Sequence, residues 1–137
     1  MSLYISGFYC GLSGLLLLGL SALVVMVRVR TRVGIGDGQQ PALIAAIRAQ
    51  GNYVEYAPLV LLLLAAAEAA QLGALWLHIF GTIWLLGRLL HAYGMVKAEG
   101  GVHLARLIGI LSTWITLLSL SVINIYYWGA LTLSASH

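Results

Sequence analysis

Arg48-Ala49-Gln50-Gly51-Asn52-Tyr53-Val54-Glu55-Tyr56-Ala57-Pro58-Leu59-Val60-Leu61-Leu62-Leu63-Leu64-Ala65-Ala66-Ala67-Glu68 sets the terms on which the rest of the chain is read. From Ala57 to Ala67 it carries no charge, which suits a segment surrounded by lipid. The residues just before it are polar at helical spacing. On a helix turning 100° per residue, Arg48 lies at 0°, Asn52 at about 40°, Glu55 at about −20° and Tyr56 at about 80°. They form one polar stripe entering a bilayer, where ionisable groups are costly and by default mark a site.

The composition agrees with a membrane setting. The 137 residues are 61% hydrophobic and 8% charged, against about a quarter charged in soluble domains. Mean hydropathy is +0.98. The apolar residues fall into blocks at about 3–27, 41–70, 72–96 and 104–128, each long enough for a hydrocarbon layer of about 30 Å. Lipid requires each segment to satisfy its own backbone hydrogen bonds. A barrel needs alternating polarity, which Leu15-Leu16-Leu17-Leu18 lacks. The expected fold is all-α and integral to the membrane: a four-transmembrane-helix bundle forming a single domain over residues 1–137.

The basic residues orient it. Arg28, Arg30 and Arg32 follow the first block, and Lys97 and Arg106 flank the third loop, whereas the Gln71-Leu72-Gly73 turn and both tails have no Lys or Arg. The positive-inside rule then places both termini on the non-cytoplasmic side. No basic residue precedes the first block, so it reads as a signal-anchor and not a cleaved leader. The net charge of +3 does not imply nucleic acid, because no aromatic-basic face accompanies it. Gly34-Ile35-Gly36-Asp37-Gly38 lacks the Lys-Ser/Thr ending of a phosphate loop and reads as a turn. Pro41 suits the first position of the second helix. Cys10 is a small packing residue, with no second thiol for a disulfide or a metal. Gly7 and Gly11, with Gly14 nearby, make a small-residue face for packing within the chain or between copies. Tyr126, Tyr127, Trp128 and Trp76 read as interfacial anchors.

The stripe admits two readings. Arg48, Asn52 and Glu55 either pin helices together or offer an amide and two opposite charges to a zwitterionic ligand. Gln50 points about 200° away from Arg48, towards a neighbouring helix or subunit. Pro58 removes a backbone bond just beyond the stripe, which favours a bend. In the third block Arg88 and His91 share a face at the same membrane leaflet, although Arg88 has a stem long enough to snorkel to the headgroups. His103 forms no metal spacing with His91. Glu68, off the stripe and near the outer end, is expected as a solvated helix-end carboxylate.

The run from Arg48 to Pro58, Arg-Ala-Gln-x-Asn-x-x-Glu-Tyr-x-Pro, resembles the signature of the MAPEG superfamily, the membrane-associated proteins in eicosanoid and glutathione metabolism. Gly87-Arg-Leu-Leu-His-Ala-Tyr-Gly94 looks like its third-helix motif, and the turn from Val33 to Gly38 is similar to that of its short bacterial members. The resemblance spans nearly the whole chain and implies a homotrimer in a bacterial inner membrane. Glutathione would bind between subunits near the cytoplasmic face, as co-substrate and without a metal. Arg48, Asn52, Glu55 and Tyr56 would contact the tripeptide, Gln50 would reach from the adjacent subunit, and Arg88 and His91 would line the pocket. Arg28 or Arg30 would add charge from the neighbour. Arg106 takes the place of the family's thiol-activating arginine, where a fixed cation lowers a thiol pKa.

That assignment implies a glutathione transferase, with peroxidase activity as a further capacity, attacking a lipophilic electrophile or a lipid hydroperoxide. The chain departs from several relatives in having Met95 where they have a tyrosine, and in a third loop about two residues longer. A non-catalytic member binding lipid or a partner protein is the alternative. A small multidrug exporter would need an acid in the first helix, which this chain lacks.

Overall fold

The computed structural model describes residues 3–134, with side chains to Ala130. Four helices account for almost all of it: α1 (Tyr4–Thr31), α2 (Pro41–Ala69), α3 (Ala74–Lys97) and α4 (Leu104–Ser134). Each is long and apolar enough to cross a bilayer. Large apolar side chains such as Leu15, Leu18, Leu62, Leu118 and Ile125 stand exposed along them, as a lipid-facing surface requires. Sequence and structure agree on an all-α integral membrane bundle.

The helix ends differ from the apolar blocks for local reasons. Helix α1 runs past Val27 through Arg28 and Arg30, because arginine is a good helix former, and it stops where Arg32 turns left-handed at φ 55°. Helix α4 likewise continues six residues past Trp128, to Ser134. Pro41 occupies the start of α2 as expected, and α2 then runs unbroken through Pro58. Between α2 and α3 the turn is tight: Leu72 N–H bonds Ala67 O at 3.0 Å, with Gln71 at φ 67°.

Helices α2 and α3 form the short diagonal of the bundle, with α1 against one side and α4 against the other. Among the described residues α1 and α4 do not meet. Alanines 45, 49, 57 and 67 on α2 are buried and let neighbouring helices approach. The α3–α4 seam is closer still. A methyl group added at Gly109 would fall 2.4 Å from Gly87 O and 2.5 Å from His91 N, so the backbones themselves are in contact. Small residues permit this approach, which in lipid substitutes for a hydrophobic driving force between helices.

Polar pins cross the interior. Tyr53 Oη donates to Ser13 O at 2.7 Å, joining α2 to α1. Tyr9 packs its ring against Gly81, and its hydroxyl meets His78 O at 3.0 Å and Thr82 Oγ1 at 2.9 Å. Glu68 corrects the sequence reading. It is buried, not solvated, and its carboxylate accepts from Ile5 N at 3.0 Å and Ser6 N at 2.7 Å, and also from Ser6 Oγ. Helix α1 has no side-chain cap of its own, so the carboxylate near the end of α2 satisfies the orphan amides of its first turn. Among the described residues nothing packs against the expected small-residue face of α1: Gly7, Gly11 and Gly14 are exposed. Cys10, expected to pack, is exposed as well.

Candidate site at the junction of α2, α3 and α4

Arg88 organises the polar cluster. It is 2% exposed, so it does not snorkel to the surface. The helical spacing of Gly81, Trp84, Arg88, His91 and Met95 puts it on the inner face of α3, and Trp84, His91 and Met95 are buried with it. Nη1 donates to Asn52 Oδ1 on α2 at 2.8 Å, and Nη2 donates to Gly109 O on α4 at 3.0 Å. The guanidinium carbon stands 5.3 Å from the centre of the Trp84 ring and 5.6 Å from that of Tyr56, a cation–π arrangement. Nε is buried with no partner among the described residues.

This bonding determines how Asn52 is presented. With its oxygen taken by Arg88, its amide nitrogen turns towards Glu55 Oε2 at 3.5 Å. Glu55 is exposed, Asn52 and Tyr56 are half-buried, and Arg48 is exposed with no polar partner among the described residues. Tyr56 Oη accepts from Trp114 Nε1 on α4 at 3.2 Å. One wall therefore carries a free guanidinium, an oriented amide, a carboxylate and a phenol. Behind it lies a fixed cation in a medium of low dielectric, where charge interactions are strengthened. Such a surface complements a ligand bearing both carboxylates and an ammonium.

The other sequence-predicted residues divide. Arg106 opens α4 with its backbone against Gly94: a methyl group there would lie 2.4 Å from Arg106 N. It stands three residues before Gly109, one helical turn from the Arg88 anchor. Its Nη1 bonds Gly100 O at 2.6 Å and Gly101 O at 3.1 Å, and its side chain borders a groove of about 220 Å³ with Val102, His103, Leu107 and Ile110. His91 is buried one turn along α3 from Arg88. Gln50 faces away from the stripe, as its angle requires, and Nε2 donates to Ser21 Oγ on α1 of the same chain at 2.7 Å. Arg28 secures the first loop, donating to Gly36 O at 2.8 Å, whereas Arg30 is exposed and unpartnered among the described residues. Met95 is buried in the core, and Tyr93 turns to a groove beside α1 instead of towards the cluster.

Trp84, Gly109 and Trp114 are contributors that sequence reading missed. Trp84 had a usable signal, since it lies four residues before Arg88 and therefore on its face. Gly109 acts through its carbonyl, which no side-chain pattern reveals. Trp114 is exposed on α4, and nothing in its spacing separates it from a lipid-facing tryptophan.

Comparison with known proteins places the chain in a family. The family model described as "MAPEG family" matches residues 6–126. The inner membrane protein YecN of Escherichia coli K12 is 37% identical over 123 residues, covering 90% of this chain and 92% of YecN. YecN of Escherichia coli O6:H1 matches to the same extent. With the family's pattern running through all the helices that build the cluster, the chain belongs to the MAPEG family of membrane proteins.

Proposed function

We propose that the protein is a membrane-bound glutathione transferase, with glutathione peroxidase activity towards lipid hydroperoxides as a further capacity. The observation that carries this reading is the Arg88–Asn52–Glu55 relay, with Arg48 left free beside it. Glutathione is a tripeptide with two carboxylates and one ammonium. Arg48 and the buried charge of Arg88 suit its carboxylates, Glu55 suits the ammonium, and Asn52 and Tyr56 supply amide and hydroxyl contacts. His91, buried one turn along α3 from Arg88, would support the same site from behind.

Arg106 is the proposed thiolate partner. Its Nη1 is held by loop carbonyls, and Nε and Nη2 carry no bond among the described residues. A cation there favours the thiolate of glutathione, which then attacks a lipophilic electrophile arriving through the bilayer. In a homotrimer, Arg30 would approach the site from the neighbouring subunit more readily than Arg28, which is tied to its own loop. Gln50 would reach across only by leaving Ser21. We place the protein in a bacterial inner membrane, the location named for YecN, with both termini on the non-cytoplasmic side.

Stopped-flow absorbance on mixing purified protein with glutathione tests the reading. Thiolate formation and conjugation of a generic electrophile are expected, both lost in Arg106→Ala. No thiolate signal and no conjugate from the unaltered protein would refute the enzyme. The second reading is a non-catalytic member that binds lipid or a partner protein. It is favoured by Met95 and by the loop carbonyls that occupy Arg106. Glutathione binding with unchanged cellular function in Arg106→Ala would support it.

A further inference from the structure

On the opposite side of the α2–α3 diagonal from the polar cluster, α1 and α3 border a groove of about 330 Å³. Leu16, Leu20 and Leu23 of α1 face Leu89, Ala92 and Val96 of α3 across it. Two crossings apart in the chain, these helices run in the same direction, and each contributes one face at i, i+3/i+4, i+7 spacing. The lined stretch of α3, from Leu89 to Lys97, makes the groove about 12 Å long. Its walls are apolar apart from Tyr93, midway along the α3 stretch, and Lys97, which closes one end.

Lys97 is the last residue of α3, exposed and with no anionic partner among the described residues. No carboxylate lines the groove, and Glu99 belongs to the turn beyond it. An apolar trough ending in one uncompensated ammonium is complementary to a molecule with an alkyl tail and an anionic head. The Tyr93 ring packs edge-on against that of His103 in the third loop, with centroids 5.8 Å apart; tyrosine is an amphipathic side chain of the kind enriched at membrane–water interfaces. The long Lys97 stem can follow the groove wall while its ammonium stays at headgroup level.

We propose that this groove seats an acyl chain of an anionic membrane phospholipid whose headgroup phosphate is held by Lys97. The occupant comes from the bilayer in which the helices stand, and Lys97, the cation that lines the groove, selects for net negative charge. The site is separate from the glutathione cluster, so neither depends on the other.

Native mass spectrometry of the detergent-purified protein, titrated with equimolar phosphatidylglycerol and phosphatidylcholine of matched chains, tests this. The first adduct should favour phosphatidylglycerol about fivefold, the factor expected for one interfacial lysine against an anionic lipid. Lys97→Gln should bring the ratio to about one while retaining an adduct. Leu89→Trp, a change at an exposed position in the groove wall, should weaken both lipids. Circular dichroism shows whether each variant is folded, and the ratio for the unaltered protein needs no variant. Equal binding of the two lipids, or a preference that survives Lys97→Gln, would overturn the proposal. So would a change of oligomeric mass in Leu89→Trp with lipid binding intact, which would seat a second copy in the groove instead.

Discussion

Gly109→Ala should be among the most damaging single-methyl changes in this chain, and the reason can be worked from the α3–α4 seam. The new methyl group would stand 2.4 Å from Gly87 O, 2.5 Å from His91 N and 2.7 Å from His91 Cβ, against ordinary contact at 3.4 Å and above. The first two of these are backbone atoms of α3, so no rotamer change relieves them. The helices must part by about 1 Å, or the chain must strain. Overpacking of this kind costs about 1–3 kcal/mol, and rigid neighbours on the α3 side place it near the upper end. For a chain of this size that corresponds to a fall in Tm of roughly 5–10 °C. The same displacement lengthens the 3.0 Å bond from Arg88 Nη2 to Gly109 O, so ligand affinity should fall with stability. Thermal unfolding in detergent, followed by tryptophan emission, reads the first effect. Gly19→Ala is the control, because nothing lies within 4 Å of a methyl group there. It should leave Tm unchanged or slightly raised, as alanine is the better helix former. If the two variants unfold within about 2 °C of one another, the account of the seam is wrong.

Glu68→Ala removes the acceptor for two amides and a hydroxyl at the start of α1; it should cost about 1–2 kcal/mol, as loss of a helix cap does. Hydrogen exchange at Ile5 and Ser6 should accelerate while the middle of α1 stays protected. Arg88→Met should alter stability by no more than about 2 kcal/mol, because Gly109 O keeps its bond from Thr113 Oγ1 at 2.9 Å and apolar replacement of a buried charge is often tolerated. It should nevertheless weaken glutathione binding at least tenfold by calorimetry, since Asn52 loses the bond that orients it. Undiminished binding would show that Arg88 has no part in the site. Trp114→Phe deletes the donor to Tyr56 Oη. An effect of about 0.5–1.5 kcal/mol on unfolding is expected, and chemical denaturation will measure it.

The candidate polar cluster was partly legible before the fold because one helix carries most of its polar residues. The angles of Arg48, Asn52, Glu55 and Tyr56 follow from helical geometry alone. Arg88 was recognised, but its two possible positions, snorkelling or buried, differ only in which way the face of α3 turns. That rotation is decided by Gly87 and Gly109, whose lack of side chains lets the helices close. Gln50 was correctly directed away from the stripe, yet its Ser21 partner stands 29 residues earlier in the chain. Glu68 was misread for the same reason. Its position near a helix end suggested water, while the first turn of α1, 62 residues away, occupies that space.

The sequence by itself therefore determined the membrane setting, the helix number and the stripe, because apolar length, helical period and loop charge are local properties. Only the tertiary structure decided that Arg88 is bound between Asn52 and Gly109, that Glu68 caps α1, and that Tyr93 lines a groove between α1 and α3. Those outcomes depend on how each helix is rotated about its axis against its neighbours. In a bilayer, where every outward face is apolar, close packing of small residues and a few buried hydrogen bonds fix that rotation.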